Sequence, residues 1–526
     1  MRAALFTFDP TVVVDSLRAE LFPRFDPKQT ALVTDAAALR RDFLDDKSMY
    51  QHPRALPNPA GQPTFYAPVP HENTALPIAA VTPGCVEAVA AVVRVCYRHR
   101  CPLVVRGGAT GLEGGCVPLY GGVVLDTSNL VTTRVDAENG VAWVGAGVRK
   151  LHLAKHLGPL GLLFGPDPAS NPTIGGMVST SGSGMTTIRY GTTRENVVSL
   201  VVVTAAGEII RTRQPVRKAS TGLDLTNLFI GSEGTLGVVV EACLKIHRLP
   251  IHRTGAMVTF PSLHDAVRAV VAMRKAQGAR GTGQLVRCEL INGEGIAAGN
   301  KEFRTQLTPV PTVLLEFQGD VVDSLTDEFR TAERVFREHS CQHINYVERG
   351  AELDTVWEAR RGCYMAARKA RGKGTAAATI EPVYISDVCV PMTTLADCVK
   401  QTEEDFRKEG VPCIICAHIA DGNFHAMVPF ATAKERQQTL ELDARLIARA
   451  VRMGGACSGE HGIGLGKVKH LLQEHGQAHL ALQRGIKAAM DPRGIMNPGK
   501  FYPPAPLTLG GSPAPPLAAS PPAAHL

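Results

Sequence analysis

The 526-residue sequence predicts an α+β fold of two main domains, and three observations carry the prediction. From about residue 76 to 250, short apolar runs are punctuated by glycine, the texture of strands that empty into loops. From about 251 to 480 glycine thins out and helical stretches alternate with strands, which suits an α+β second domain. A hydrophobic content of 44% is ordinary for a packed chain and excludes wholesale disorder.

Taken in order, residues 1–75 mix short apolar patches with Pro, Asp and Arg and read as an N-terminal extension. Met1–Phe6 has the look of a targeting start, but Asp9, Asp15 and Glu20 arrive early, whereas transit peptides avoid acids. Within 76–250, Ala79–Val81 leads to Pro83, Val86–Tyr97 reads as an amphipathic helix, and Pro102–Val105 reads as a buried strand. Within 251–480, Leu263–Gln277, Thr326–His339 and Val356–Arg361 read as helices and Thr312–Phe317 as a strand. Residues 481–501 follow as a C-terminal segment. Residues 502–526 are a disordered Pro-rich tail: from Pro503 onward there are eight prolines and no charged residue.

Composition removes several function classes. The net charge of +7 is dispersed, and the basic clusters near Arg360 and Arg368 lack interleaved aromatics, so nucleic acid is not an expected partner. No apolar run approaches the roughly 18 residues of a membrane span. Thirteen cysteines are too sparse for a disulfide scaffold and suit a reducing compartment.

Three glycine-rich stretches stand out in the first domain: Arg106–Gly115, Gly175–Gly184 and Gly231–Gly237. Without a Cβ, consecutive backbone N–H groups can converge on an anion. One such loop would be an ordinary tight turn, but three suggest a long ligand with a pyrophosphate. No Gly-x-Gly-x-x-Gly occurs, which leaves a Rossmann site without support. Gly462–Lys467 fails as a Walker loop, because His461 replaces its first glycine and Val468 its Ser/Thr.

In the second domain, Cys413–Val428 reads as two strands joined at Asp421-Gly422, a strong signal for a two-residue hairpin turn. That register sets His418 opposite His425, with Cβ atoms about 4.5–5.5 Å apart. The pair suits either a bland cross-strand contact or a metal. Ser458-Gly-Glu460-His461-Gly tips the balance by adding a carboxylate, so that His418, His425 and Glu460 form a catalytic-type metal set with open positions. Cys413 and Cys416 point to opposite faces of a strand and read as packing.

Together with Pro166-Asp167-Pro168 and Arg189-Tyr190-Gly191, the three glycine stretches resemble the FAD (PCMH-type) domain of the vanillyl-alcohol-oxidase-type flavoproteins. Over about 70–501 the resemblance is closest to the D-lactate dehydrogenase (cytochrome) branch, beside D-2-hydroxyglutarate dehydrogenase and the glycolate oxidase flavoprotein subunit. It implies a two-part FAD-binding domain with a ferredoxin-like α+β cap (substrate) domain, and residues 481–501 as a C-terminal return to the first domain. FAD would be non-covalent, although Cys116 lies close to the first loop. Its contacts would come from Arg106, Gly107, Gly108, Ala109, Thr110, Gly111, Leu112, Pro166, Asp167, Gly176, Ser179, Gly182, Gly184, Tyr190, Gly191, Glu233, Gly237, Val238 and Asn497. Gly108-Ala109-Thr110 departs slightly from the family's Gly-x-Gly-Thr, and Ala376–Tyr384 lacks the family's substrate-side lysine.

By the same resemblance His418, His425 and Glu460 hold a divalent metal, zinc first, and His461 is the catalytic base. Asn423 would lie close to substrate and flavin, and Arg360, in a Trp-x-x-Arg match at Trp357, would clamp the substrate carboxylate. The implied reaction is oxidation of a D-2-hydroxy acid, D-lactate to pyruvate foremost, by metal-assisted proton abstraction and hydride transfer to flavin. D-2-hydroxyglutarate and glycolate are the alternative substrates. Electrons would pass to a cytochrome c-like or electron-transfer flavoprotein acceptor. An alkyl-dihydroxyacetonephosphate synthase-type transferase is a rival on the same scaffold, but the histidine cluster it demands is absent. The resemblance implies a mitochondrion, whereas Ala524-His525-Leu526 resembles a peroxisomal address that an import receptor would read.

Overall fold

The computed structural model describes residues 6–48, 76–276, 284–347, 350–369 and 383–502. The first half is built on two small sheets. In one, Ala79–Thr82, Val123–Asp126 and Leu103–Arg106 run parallel, with Val123–Asp126 in the middle. Helix Val86–Arg98 covers this sheet, burying Val89, Val92, Val93 and Cys96. The other sheet has five antiparallel strands, ordered Thr133–Asp136, Val141–Gly145, Gly237–Lys245, Val197–Thr204 and Ile209–Arg211.

Part of the segment read as an extension belongs to this domain. Ala31–Val33 adds an antiparallel edge to Ala79–Thr82. Helix Pro10–Leu21 packs Val13, Leu17 and Leu21 into the same core as Val86–Arg98. Those residues are spaced four apart and so share one helix face, each contributing about 1.5–3 kcal/mol by burial. A second correction concerns the glycine run 175–184, because Ile174–Thr180 is helical. The Thr173 hydroxyl caps it at Gly176 N (3.3 Å), so local capping overrides the low helix propensity of two glycines.

The second half is an antiparallel sheet ordered His343–Val347, His252–Thr259, Thr312–Gly319, Leu285–Ile291, Ile414–His418, Asn423–Pro429 and Val383–Ile385, with Val388–Cys389 also pairing on Asn423–Pro429. Alternation divides it between two cores. Leu290, Ile415, Ala417 and Phe424 pack beneath helices Leu263–Ala276, Val322–Glu338, Leu395–Lys408 and Ala433–Arg452. Ile291, Ile414, Cys416 and Met427 face the other way, onto Trp357, Cys363 and Met185 of the first half. Cys413 and Cys416 accordingly lie in different cores as free thiols.

After helix Leu471–Met490 the chain returns to the first sheet, where Leu103 N donates to Ile495 O and Asn497 N to Leu103 O, both at 2.8 Å. Buried Asp491 holds this return by accepting from Ile495 N, Met496 N and Lys487. Tyr502 reaches the Thr235 hydroxyl at 3.5 Å; the Pro-rich stretch from 503, with Ala524–Leu526, lies outside the described residues, as do Met1–Leu5 and 370–382.

Candidate active site

The hairpin forms with a longer turn than expected. His418 pairs with Asn423, Ala417 with Phe424 and Cys416 with His425, so four residues, Ile419–Gly422, make the turn. Ile419 and Ala420 are drawn into the core, and Val390 N donates to Gly422 O (3.0 Å), anchoring the turn on a third segment. The register is displaced by two residues, an even number, so His418 and His425 keep a common face as diagonal neighbours. Their rings lie 5.5 Å apart at 89°.

Glu460 meets both imidazoles: Oε1 is 3.1 Å from His418 Nε2 and 3.2 Å from His425 Nε2. Its other oxygen accepts from the Ser183 hydroxyl of the first half at 2.6 Å. The far nitrogens of the rings are already committed. His425 Nδ1 is 3.0 Å from Ser386 O, and His418 Nδ1 is 2.7 Å from Glu289 Oε1. With both Nδ1 atoms donating, two imidazole lone pairs and a carboxylate converge, and only a proton or a cation relieves their repulsion. The ligand atoms lie within 4.8 Å of one another, so these residues fit a divalent cation.

Two carboxylates invisible to the sequence argument organise this set. Glu289, on strand Leu285–Ile291 and 1% exposed, takes Arg360 Nε and Nη2 on Oε2 at 2.8 and 2.6 Å while holding His418 on Oε1. Arg360 is thus committed to Glu289 along one edge. Asp387, fully buried, accepts from Asn423 Nδ2 (2.8 Å), Ser458 Oγ (2.7 Å) and the backbone N–H groups of Glu460 and His461 (2.9 Å each). A Cβ at Gly459 would sit 2.1 Å from Asn423 Nδ2, so only glycine lets this loop close on the hairpin. Two charged residues, Arg287 and Glu289, within the short strand-like run Leu285–Ile291 were the one available signal for Glu289; Asp387 stood beside Ser386 with none.

The charges follow from burial and pairing. Burial alone would depress His418, but Glu289 and Glu460 outweigh it and hold the imidazole well above its ordinary range. Glu460 is held well below the carboxylate range by His418 and His425 against its desolvation. Asp387 is likewise low, because His461 and His425 overcome burial. His461 is lowered by burial, more than Asp387 restores, and its ring stacks on His425 at 4.9 Å. Its Nδ1 is buried without a hydrogen-bond partner among the described residues, as is Asn423 Oδ1.

The glycine stretches gather around the loop that carries Glu460 and His461. Gly107–Leu112 follows strand Leu103–Arg106, and the N–H groups of Ala109, Thr110, Gly111 and Leu112 have no acceptor among the described residues. With Ala109 at φ +50°, this run has the anion-nest character that fits a pyrophosphate. Asn497 joins two of the stretches, donating to Gly115 O (3.0 Å) and Glu233 O (2.8 Å). Ser179 O accepts from Glu233 N and Gly182 O from Thr193 N. Gly237 and Val238 begin a buried strand, Pro166 and Gly184 are buried, and Gly191 ends the short helix that bears Tyr190. Tyr190 has a buried hydroxyl without a hydrogen-bond partner among the described residues.

Three side chains expected at the cofactor are engaged elsewhere. Arg106 donates to Asp45 O (2.6 Å). Asp167 sits among Lys150 (2.7 Å), Arg287 (2.8 Å) and Arg361 (3.2 Å). The Glu233 carboxylate accepts from Ile463 N (2.6 Å) and Gly464 N (2.8 Å). Cys116 is a half-buried thiol beside Asp46, pushed up to about 12 by desolvation and that carboxylate.

Comparison with known proteins agrees with this architecture. Residues 77–213 match the FAD binding domain model and 249–501 the model of the C-terminal domain of FAD linked oxidases. Solved structures of the same fold include 4-ethylphenol oxidase from Gulosibacter chungangensis (TM-score 0.70, 15% identity, 95% of this chain and 98% of that one) and alkyldihydroxyacetonephosphate synthase (0.68, 19%, 95% and 88%). Fold and domains therefore define an FAD-dependent oxidoreductase of the vanillyl-alcohol-oxidase type. The chain is 34% identical over 442 residues to mitochondrial D-lactate dehydrogenase [cytochrome] of Arabidopsis thaliana, covering 82% of this chain and 75% of that protein. It is 35% identical over 431 residues to the probable mitochondrial D-lactate dehydrogenase of Danio rerio, covering 81% and 84%. It belongs to the D-lactate dehydrogenase (cytochrome) family. Among the described residues no helix is long and apolar enough to cross a membrane.

Proposed function

We propose that the chain oxidises a D-2-hydroxy acid, D-lactate in the first place, to the 2-oxo acid. The observation that carries the reading is the convergence of His418, His425, Glu460 and His461 on one face of the hairpin, latched by Ser183 to the flavin-binding half. His418, His425 and Glu460 would hold the divalent cation, with zinc favoured by the nitrogen-rich donor set, and the glycine stretches would hold FAD non-covalently. When bound, the cation supplies Lewis acidity towards the substrate hydroxyl and the flavin supplies a hydride acceptor.

The chain's own residues supply placement and proton handling. His461, lowered by burial, is neutral near pH 7 and can take the hydroxyl proton. Asn423 is fixed through its Nδ2 by Asp387 and Val388 O (2.9 Å), and its Oδ1 is left without a hydrogen-bond partner among the described residues. Arg360 offers a substrate carboxylate the guanidinium edge that Glu289 leaves open. The protonated Cys116 thiol supports non-covalent flavin, because the thiolate is the nucleophilic form.

A cytochrome c-like or flavoprotein acceptor would reoxidise the flavin, and the relatives' names favour a mitochondrion. The test is an anaerobic visible spectrum of the purified protein before and after D-lactate, then L-lactate. Bleaching of the flavin band by the D isomer alone is expected. A band that neither isomer touches redirects the reading to D-2-hydroxyglutarate or glycolate, and no flavin even after adding FAD refutes it.

A further inference from the structure

The loop that bears Glu460 and His461 is clamped from the flavin-binding half at its backbone. Glu233, 8% exposed and at φ +52°, stands in the third glycine stretch and accepts Ile463 N and Gly464 N on its two carboxylate oxygens, at 2.6 and 2.8 Å. From the first glycine stretch, Glu113 O accepts Leu465 N at 2.7 Å. Gly462, at φ +83°, places an imagined Cβ 2.9 Å from Glu233 Oε1, so the loop approaches the carboxylate as only a glycine allows. The same two stretches are tied to each other by Asn497, through Gly115 O and Glu233 O. Two hydrogen bonds on one carboxyl group fix an orientation as well as a distance.

We infer that Glu233 is a positioning residue that couples the flavin cradle to the Glu460–His461 loop, so that FAD and the divalent cation bind with positive linkage. The inference rests on the proposed flavin and cation sites. A cofactor that orders the third glycine stretch fixes the Glu233 carboxylate, which in turn fixes the loop that presents Glu460 to His418 and His425. Linkage makes the effect reciprocal: the cation, by holding Glu460, must tighten FAD binding by the same factor.

The experiment uses the FAD-loaded full chain. The FAD dissociation constant is measured from the rise in flavin fluorescence on dilution to equilibrium, with saturating Zn²⁺ and after chelation with EDTA, while bound zinc is counted by elemental analysis. In the wild type, chelation is expected to raise the FAD dissociation constant about tenfold, within the usual span of coupled sites. In Glu233→Gln, which presents one acceptor and one NH₂ to two N–H donors, the ratio should fall to about twofold or less. Gly462→Ala attacks the same contact from the loop side and should lower the ratio likewise, even if Glu233→Gln fails to fold. A variant that binds FAD more weakly by the same factor with and without zinc, keeping the wild-type ratio, shows a merely structural role and overturns the inference. Zinc bound by the wild type with no effect on FAD affinity also overturns it while sparing the site; no bound zinc at all refutes the cation site and the inference together.

Discussion

Asp387→Asn is the substitution that probes the site's organisation most directly, because one buried carboxylate orients Asn423, Ser458 and the backbone of both Glu460 and His461. The amide keeps one acceptor and turns an NH₂ towards N–H donors. If its oxygen stays on Glu460 N and His461 N, its NH₂ opposes the Asn423 NH₂; turned the other way, it opposes both backbone donors. Hydrogen bonds to a charged group contribute about 1.5–3 kcal/mol each, against about 0.5–1.5 for neutral pairs. Weakening three of them therefore costs about 3 kcal/mol. The catalytic consequence exceeds the stability loss, since a shift of about 1 Å in a reacting group can lower the rate about a hundredfold. Urea denaturation of the holoprotein measures the first quantity and D-lactate turnover the second. A loss under about 1 kcal/mol with an unchanged kcat would refute the role given to Asp387.

Three further outcomes follow from particular contacts. Glu289→Gln breaks a buried pair with Arg360 and releases His418, so a loss of about 3–5 kcal/mol and a raised KM for D-lactate are expected in denaturation and kinetic assays. Burial pushes Asp167 upward, but Lys150, Arg287 and Arg361 outweigh it and bring its pKa down to about 2. Because the folded value lies below the unfolded one, this stabilisation is complete above the ordinary carboxylate range. It is lost as pH falls from about 4 to about 2, amounting to roughly 2 kcal/mol; acid titration of Asp167→Asn should lack that component. Cys116→Ala should keep its flavin and, like the wild type, release it on denaturation into the supernatant; flavin retained on the denatured wild-type chain alone would show a covalent tether at Cys116.

The structure gathers His418, His425, Glu460 and His461 as the residue pattern led one to expect, for a physical reason: alternation along a strand survives an even change of register. The turn itself was misjudged, because Asp421-Gly422 describes a local preference while Ile419 and Ala420 are drawn into the core beneath neighbouring helices. Helix Val86–Arg98 and strand Leu103–Arg106 follow from apolar period and flanking glycine, which are properties of the chain alone. The seam of Val13, Leu17 and Leu21 was equally periodic, but only its docking against Val86–Arg98 gives it meaning.

What the sequence by itself determined, then, is the chemistry on offer: glycine stretches able to expose N–H groups, a histidine pair on one strand face, and a Glu-His dipeptide between glycines. Those are local properties, set by backbone freedom and side-chain period. What only the tertiary structure decided is how that chemistry is held. Glu289 joins Arg360 to His418, Asp387 gathers four donors, and Glu233 reaches from the flavin cradle to Ile463 and Gly464. Each is a carboxylate whose partners lie tens to hundreds of residues away in the chain, and a buried charge takes its role from whichever donors the fold brings to it.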